Sequence, residues 1–336
     1  MKSQQTGFFE ISSNDFNGDL WVIRYISEKP DKYYLYRRGS KSLDLLMDTH
    51  PQLAKYEMAE TKPITFQARD GMKITGYLTL PAGVKPQNLP LILFPHGGPW
   101  SRDEWMFYAD VQWMANRGYA VLQPNFRGST GFGVKYMNAG TGQWCVGSMQ
   151  HDLTDAVRWA IAEGIADSKR VAIFGGSYGG YATLCGLVFT PELFVAGAEA
   201  VGPSDVGYLL KSFPPYWKPV KKRWIRRIGV DVETDEEGNR KISPLYHVEK
   251  IQVPVFIGHG SNDPRVKQAS SDQMVEAMRK KNLPVTYVVY PDEGHGWERE
   301  PNILDYYGRL EEFFAKHLNG RLEPREEIPG TSAQIR

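Results

Sequence analysis

Gly175-Gly176-Ser177-Tyr178-Gly179 follows an apolar run, Arg170 to Phe174, that reads as a strand, and precedes a run that reads as a helix. A sharp strand-to-helix turn needs small residues around its apex, and it pushes the apex residue out at the carboxyl edge of a sheet. The chemistry this offers is acyl transfer. Ser177 would be the nucleophile, with the Tyr178 N–H and the helix N-terminus facing the charge that develops on an attacked carbonyl. A glycine-flanked serine alone is an ordinary turn; the strand and helix on either side decide for the nucleophile.

A serine hydroxyl is weakly nucleophilic at neutral pH, so it needs an imidazole base and a carboxylate to fix the tautomer of that base. On sheets with such a turn, the acid and then the base follow the nucleophile. Of the seven histidines, His50, His96 and His151 precede Ser177, and His317 lies in the last helical run. His295 is selected, in the glycine-flanked loop Pro291 to Trp297 after the strand Val285 to Tyr290. His247 and His259 are weaker; His259 ends a strand and reads as orienting the turn after it. Asp263, on the loop leaving the strand Val253 to Gly258, is the acid. Asp205, after the preceding strand, is its runner-up, and Asp292 is too near His295 to approach the ring from behind. A second oxyanion donor is expected from His96-Gly97-Gly98-Pro99, beyond the strand Leu91 to Phe94. Gly98 is the choice there, because Pro99 has no N–H.

These side chains require a sheet to carry them. From about residue 64 the sequence alternates short apolar strands with helical patterns near Tyr108 to Arg117, His151 to Glu163, Gly180 to Val188, Lys267 to Lys281 and Ile303 to Leu318. That alternation predicts an α/β fold, a mostly parallel sheet covered by helices on both faces. A short antiparallel β segment precedes it: residues 1–62 carry alternating runs broken by Asn17-Gly18 and Lys29-Pro30-Asp31. The catalytic domain is expected over 63–320, with a basic, aromatic insertion at 204–247 and a mobile tail at 321–336.

Among 336 residues, 40 Lys and Arg stand against 39 Asp and Glu, so no overall field recruits nucleic acid or an anionic membrane. Two cysteines, Cys145 and Cys185, make no disulfide framework and read as small packed residues. Zinc-helix, Cys-x-x-Cys and phosphate-loop patterns do not occur, so no metal and no cofactor is expected. Gly128 to Gly133 is glycine-rich without an obvious helix start and reads as a structural loop. Met1 to Ser13 holds no apolar run of signal-peptide length, and no run of about 18 apolar residues occurs, which points to a cytoplasmic protein.

From about Ile64 to Leu318 the chain resembles the catalytic domain of the prolyl oligopeptidase family of serine peptidases, in its acylaminoacyl-peptidase-like branch. The resemblance rests on His96-Gly97-Gly98-Pro99, Asn125 to Gly133, Gly175 to Tyr181, Asp263-Pro264-Arg265-Val266 and Gly294-His295. It implies an α/β-hydrolase fold, a Ser177, Asp263, His295 triad and an oxyanion hole from the Gly98 and Tyr178 amides. It also implies a substrate-holding role for Arg265, against the alternative of a loop salt bridge. The family carries an N-terminal β-propeller of several blades, and the segment here amounts to about one. The expected activity is hydrolysis of short peptides or aminoacyl amides through an acyl-serine ester. A carboxylesterase on the same triad is the alternative, and a silent binding module a third reading. With few blades to cover the catalytic edge, a homodimer is expected, joined by the β segment or by the insertion with Tyr216 and Trp217.

Overall fold

The computed structural model describes residues 7–336; residues 1–6, at the start of the expected β segment and of the leader reading, lie outside the described residues. A first, four-stranded antiparallel sheet runs in the order β1 (Phe8–Asn14), β2 (Leu20–Ile26), β3 (Lys32–Arg37), β4 (Ser42–Asp48). It buries little of itself. Tyr25 and Ile26 are covered, while Phe9, Ile11, Leu45 and Met47 stay exposed.

A nine-stranded sheet follows in the order β13-β12-β11-β10-β9-β7-β8-β6-β5. Its strands are β5 (Glu60–Gln67), β6 (Lys73–Leu80), β7 (Leu89–Leu93), β8 (Ala120–Asn125), β9 (Ala166–Gly176), β10 (Ala196–Ala200), β11 (Val255–Gly260), β12 (Val285–Tyr290) and β13 (Gln334–Ile335). From β8 to β12 every neighbouring pair is parallel, while β5, β6 and β13 add antiparallel edges. Pro63 has no N–H to give, and it sits on the edge strand β5, where none is needed.

Helices close both faces: α1 (Ala109–Asn116), α2 (Val134–Asn138), α3 (Ser148–Ala162), α4 (Tyr178–Phe189), α5 (Val206–Lys211), α6 (Lys218–Ile228), α7 (Glu236–Ile242), α8 (Ala269–Lys280) and α9 (Glu300–Leu318). Strand alternation sorts the core into two layers. Leu91, Leu93, Val171 and Ile173 face one way, packed with residues of α3, α4 and α8; Ile92, Ala172 and Phe174 face the other, with residues of α1 and α9. With both faces filled, only the carboxyl ends of the strands remain open for chemistry.

Three expectations change. The tail at 321–336 folds back over α9 rather than hanging free. Glu323 N–H donates to Glu311, Ser332 binds Asn302, and Gln334–Ile335 pairs with β12, whose outer edge would otherwise offer unpaired amides. The loop 128–133 does lead into a helix, the single-turn α2. Cys145 and Cys185 are not merely packed: they form a disulfide, with Cα atoms 5.3 Å apart, tying the chain before α3 to the helix after Ser177. The bond closes a loop of sequence separation 40. Replacing both cysteines by serine is expected to cost about 2 to 4 kcal/mol of stability, seen as a lower denaturant midpoint. An unchanged midpoint in the double variant would show that the bond does not constrain the unfolded chain.

Candidate active site

Ser177 sits at the junction of β9 and α4 with φ 58° and ψ −121°, a backbone state that an L residue keeps only where its surroundings enforce it. The enforcement is steric. A Cβ on Gly175 would lie 2.5 Å from the Gly179 carbonyl carbon, and one on Gly179 would lie 2.2 Å from the Pro95 oxygen. The Ser177 N–H donates to Ala200 O at 2.8 Å, which fastens the turn to the end of β10.

His295 and Asp263 converge on it from the loops after β12 and β11. His295 Nε2 is 2.9 Å from Ser177 Oγ, and His295 Nδ1 is 2.6 Å from Asp263 Oδ2. An ionised carboxylate only accepts, so Nδ1 is the donor and Nε2 is free to take the serine proton. Burial pushes the Asp263 carboxyl up, but the bond and charge of His295 and the amides of Val266 and Arg265 outweigh it and hold its pKa below the ordinary value. Those amides donate to Asp263 Oδ1 at 2.9 and 2.7 Å.

Gly98 and Tyr178 border the same cavity as Ser177 and His295, and neither N–H has an acceptor among the described residues. The Gly98 amide is set by a group that the sequence reading passed over. His96 Nδ1 donates to Gly97 O at 2.7 Å, and in a trans peptide the N–H of Gly98 then points the opposite way. His96 is stacked on Phe126 and reached at Nε2 by Ser129 Oγ, 2.8 Å away. Burial pushes its pKa down to about 4, so the ring is neutral, and the Gly97 carbonyl, which only accepts, keeps its one proton on Nδ1. Ser129 comes from the loop 128–133, whose structural role is thereby specified.

The cavity beside Ser177, about 200 Å³, is walled by Trp144, Tyr178, Phe213, Trp217 and Trp224. Arg265 stands at its border, with no carboxylate partner for its guanidinium among the described residues. The insertion at 204–247 therefore supplies α5, α6, α7 and three of the aromatic wall residues, Phe213, Trp217 and Trp224. Trp217 lines the cavity, while its neighbour Tyr216 is exposed.

The other candidates have structural employment. Asp205 caps α5, accepting from the Gly207 and Tyr208 amides and from Tyr246 Oη. His247 Nε2 donates to Arg240 O, Asp292 binds Asn302 and Arg299, and His259 holds the turn at Val266. Arg127 clamps Asp152 and Asp70 below the loop that carries Ser129. No cluster of metal-ligating side chains occurs among the described residues, and no helix among them is long and apolar enough to cross a membrane.

The chain is similar to known proteins in family and in fold. Residues 105–321 match the Prolyl oligopeptidase family. The chain is 44% identical to dipeptidyl aminopeptidase BIII of Pseudoxanthomonas mexicana over 98% of its own length and 49% of that protein. It is 42% identical to dipeptidyl peptidase family member 6 of Caenorhabditis elegans over 95% of its length and 46% of the relative. It thus spans about half the length of the curated relatives it matches. A puromycin-hydrolyzing peptidase of Mycobacterium tuberculosis superposes with a TM-score of 0.82 at 24% identity, over 94% of this chain and 48% of the other, which shows a shared fold.

Proposed function

The chain belongs to the prolyl oligopeptidase family, and on that premise we propose that it is a serine peptidase cleaving short peptides or aminoacyl amides through an ester on Ser177. One observation carries the reading: an unbroken run of hydrogen bonds from Asp263 through His295 to Ser177, beside two amides that have no acceptor among the described residues. Ser177 Oγ attacks the substrate carbonyl while its proton passes to His295 Nε2, and the oxyanion is held by the Gly98 and Tyr178 amides. The imidazolium, stabilised by Asp263, then gives that proton to the leaving amine as the C–N bond breaks. Water repeats the sequence on the acyl ester, its proton going to His295 and returning to Ser177 as the carboxylic acid departs.

The aromatic wall selects the residue on the acyl side of the scissile bond. Trp144, Phe213 and Trp224 offer apolar surface and no charge, so a large apolar or aromatic side chain fits and a cationic one is desolvated without a partner. The relatives named dipeptidyl peptidases favour release of dipeptides. A carboxylesterase is the second reading, because an apolar cavity accepts an acyl chain with no amide attached. Dipeptidyl anilides, N-acetyl aminoacyl anilides and aryl esters assayed side by side separate these readings; faster turnover of every ester without any anilide cleavage would reject the peptidase.

Arg265 gives a sharper test within the reading. At the edge of the cavity, with no carboxylate partner among the described residues, its guanidinium holds a substrate carbonyl or carboxylate distal to the scissile bond. Arg265→Ala is expected to lower kcat/KM on peptides about 10- to 100-fold and on small aryl esters far less. Equal losses on both would assign Arg265 to support of the Asp263 loop. The cytoplasmic location read from the sequence belongs to this proposal too, and the Cys145–Cys185 disulfide is the observation that pulls against it.

A further inference from the structure

A fully buried polar chain lies behind the acid loop, and the reaction does not use it. Glu199 on β10 is 0% exposed; its Oε2 accepts the Gly202 N–H at 2.7 Å, and its Oε1 is 3.4 Å from Ser271 Oγ on α8. Ser271 Oγ is 2.8 Å from Nδ1 of His259 on β11, and His259 Nε2 is 2.9 Å from Val266 O. Val266 is the residue whose own N–H holds Asp263 Oδ1. We propose that Glu199, Ser271 and His259 are positioning residues for Asp263, a hydrogen-bonded strut from the end of β10 to the turn that fixes the carboxylate. This rests on the triad reading above.

Counting protons gives the strut a direction. The Val266 carbonyl only accepts, so His259 carries its proton on Nε2, and a neutral ring must accept at Nδ1 from the Ser271 hydroxyl. Ser271, having given its single proton, can then only accept from Glu199. The strut therefore closes when Glu199 is a carboxylic acid. Its surroundings favour that form: burial pushes Glu199 up to about 8 and pushes His259 down. No cation pairs with Glu199 among the described residues, and a Cβ on Gly180 of α4 would lie 3.0 Å from its Oε2. The remaining titratable groups around the strut are Asp263, 3.7 Å from His259 Nε2, His295 beyond it, Asp272 on α8, Tyr287 on β12 and Tyr306 on α9. Tyr287 Oη donates to Asp272. Once Glu199 ionises, the Ser271 proton turns toward the carboxylate and His259 Nδ1 loses its donor.

Three variants test this in the whole chain. Glu199→Gln keeps an N–H toward Ser271 and an oxygen toward Gly202; Glu199→Ala and Ser271→Ala cut the strut. Cutting it is expected to lower kcat about tenfold or more at unchanged KM, since a misplaced group costs rate before it costs binding. The low-field proton resonance of the His295–Asp263 bond should broaden in the same two variants. Glu199→Gln should keep kcat within about threefold and lack the fall in kcat that is expected of the wild type above about pH 8. The linkage has a definite sign. Folded Glu199 keeps its proton where the unfolded chain has lost it, so wild-type stability falls from about pH 5 to about pH 8. The Tm advantage of Glu199→Gln should therefore widen across that window. Wild-type kcat and resonance in both cut variants would overturn the proposal, as would a Glu199→Gln enzyme as slow as Glu199→Ala. Should Glu199→Ala fail to fold, Ser271→Ala decides. A wild-type chain silent on every substrate would instead sink the peptidase reading, leaving the resonance and the Tm comparison to judge the strut.

Discussion

Ser177→Ala is expected to lower kcat by about 10⁴- to 10⁶-fold while leaving the fold intact, because members of a triad act as a unit. The size of the loss follows from what remains. Without Oγ no acyl ester forms, and only the Gly98 and Tyr178 amides and the aromatic cavity still favour the transition state over bulk water. The strained backbone at φ 58° is held by Gly175, Gly179 and the Ala200 carbonyl, none of which the alanine touches. Circular dichroism and the denaturant midpoint should therefore match the wild type. A variant retaining more than a hundredth of wild-type turnover on anilides would remove Ser177 from the chemistry.

Asp263→Asn is the second large effect, expected at about 10⁴-fold in kcat. The carboxamide is nearly the same size, but its NH₂ group can face His295 Nδ1 and force the ring proton onto Nε2. The ring then has no lone pair for the Ser177 hydroxyl. Val266 and Arg265 donate to Oδ1 and fix which side of the group is occupied by oxygen, so the NH₂ must take the Oδ2 position, 2.6 Å from Nδ1. KM should change little, since Asp263 is buried away from the cavity. A loss of less than tenfold would mean that another carboxylate orients His295, and Asp205 is too engaged in capping α5 to serve.

What the sequence disclosed and what it withheld divide along a physical line. Ser177, Asp263 and His295 were legible because each stands on a turn whose glycines or spacing are demanded by local backbone geometry, and the order along the chain follows from parallel strands. The parallel sheet was legible from short apolar runs that contain both layers of the core, Leu91 and Leu93 with Ile92 between them. The aromatic wall was not. Trp144, Phe213, Trp217 and Trp224 are spread over three segments, and no periodicity says that side chains so distant will share one cavity. Cys145 and Cys185 were too few to announce a pair, and their meeting depends on where the turn before α3 lands. His96 was discarded as a base because it precedes Ser177, a correct inference that hid its work on the Gly97 carbonyl. Glu199 left no trace at all: a lone acid among small residues in a strand reads as a solvent-facing position, and only tertiary packing buries it. The tail was read as mobile because two paired residues, Gln334 and Ile335, are too short a strand to give a pattern.

The central claim is that Ser177 alone becomes covalently acylated, and a fluorophosphonate probe followed by peptide mapping tests it most directly. The account predicts a single stoichiometric adduct on the peptide that carries Ser177, absent from Ser177→Ala and slowed in Asp263→Asn. An adduct on any other residue, or a folded wild-type chain that takes up no probe, would contradict it and leave a binding module on a hydrolase fold.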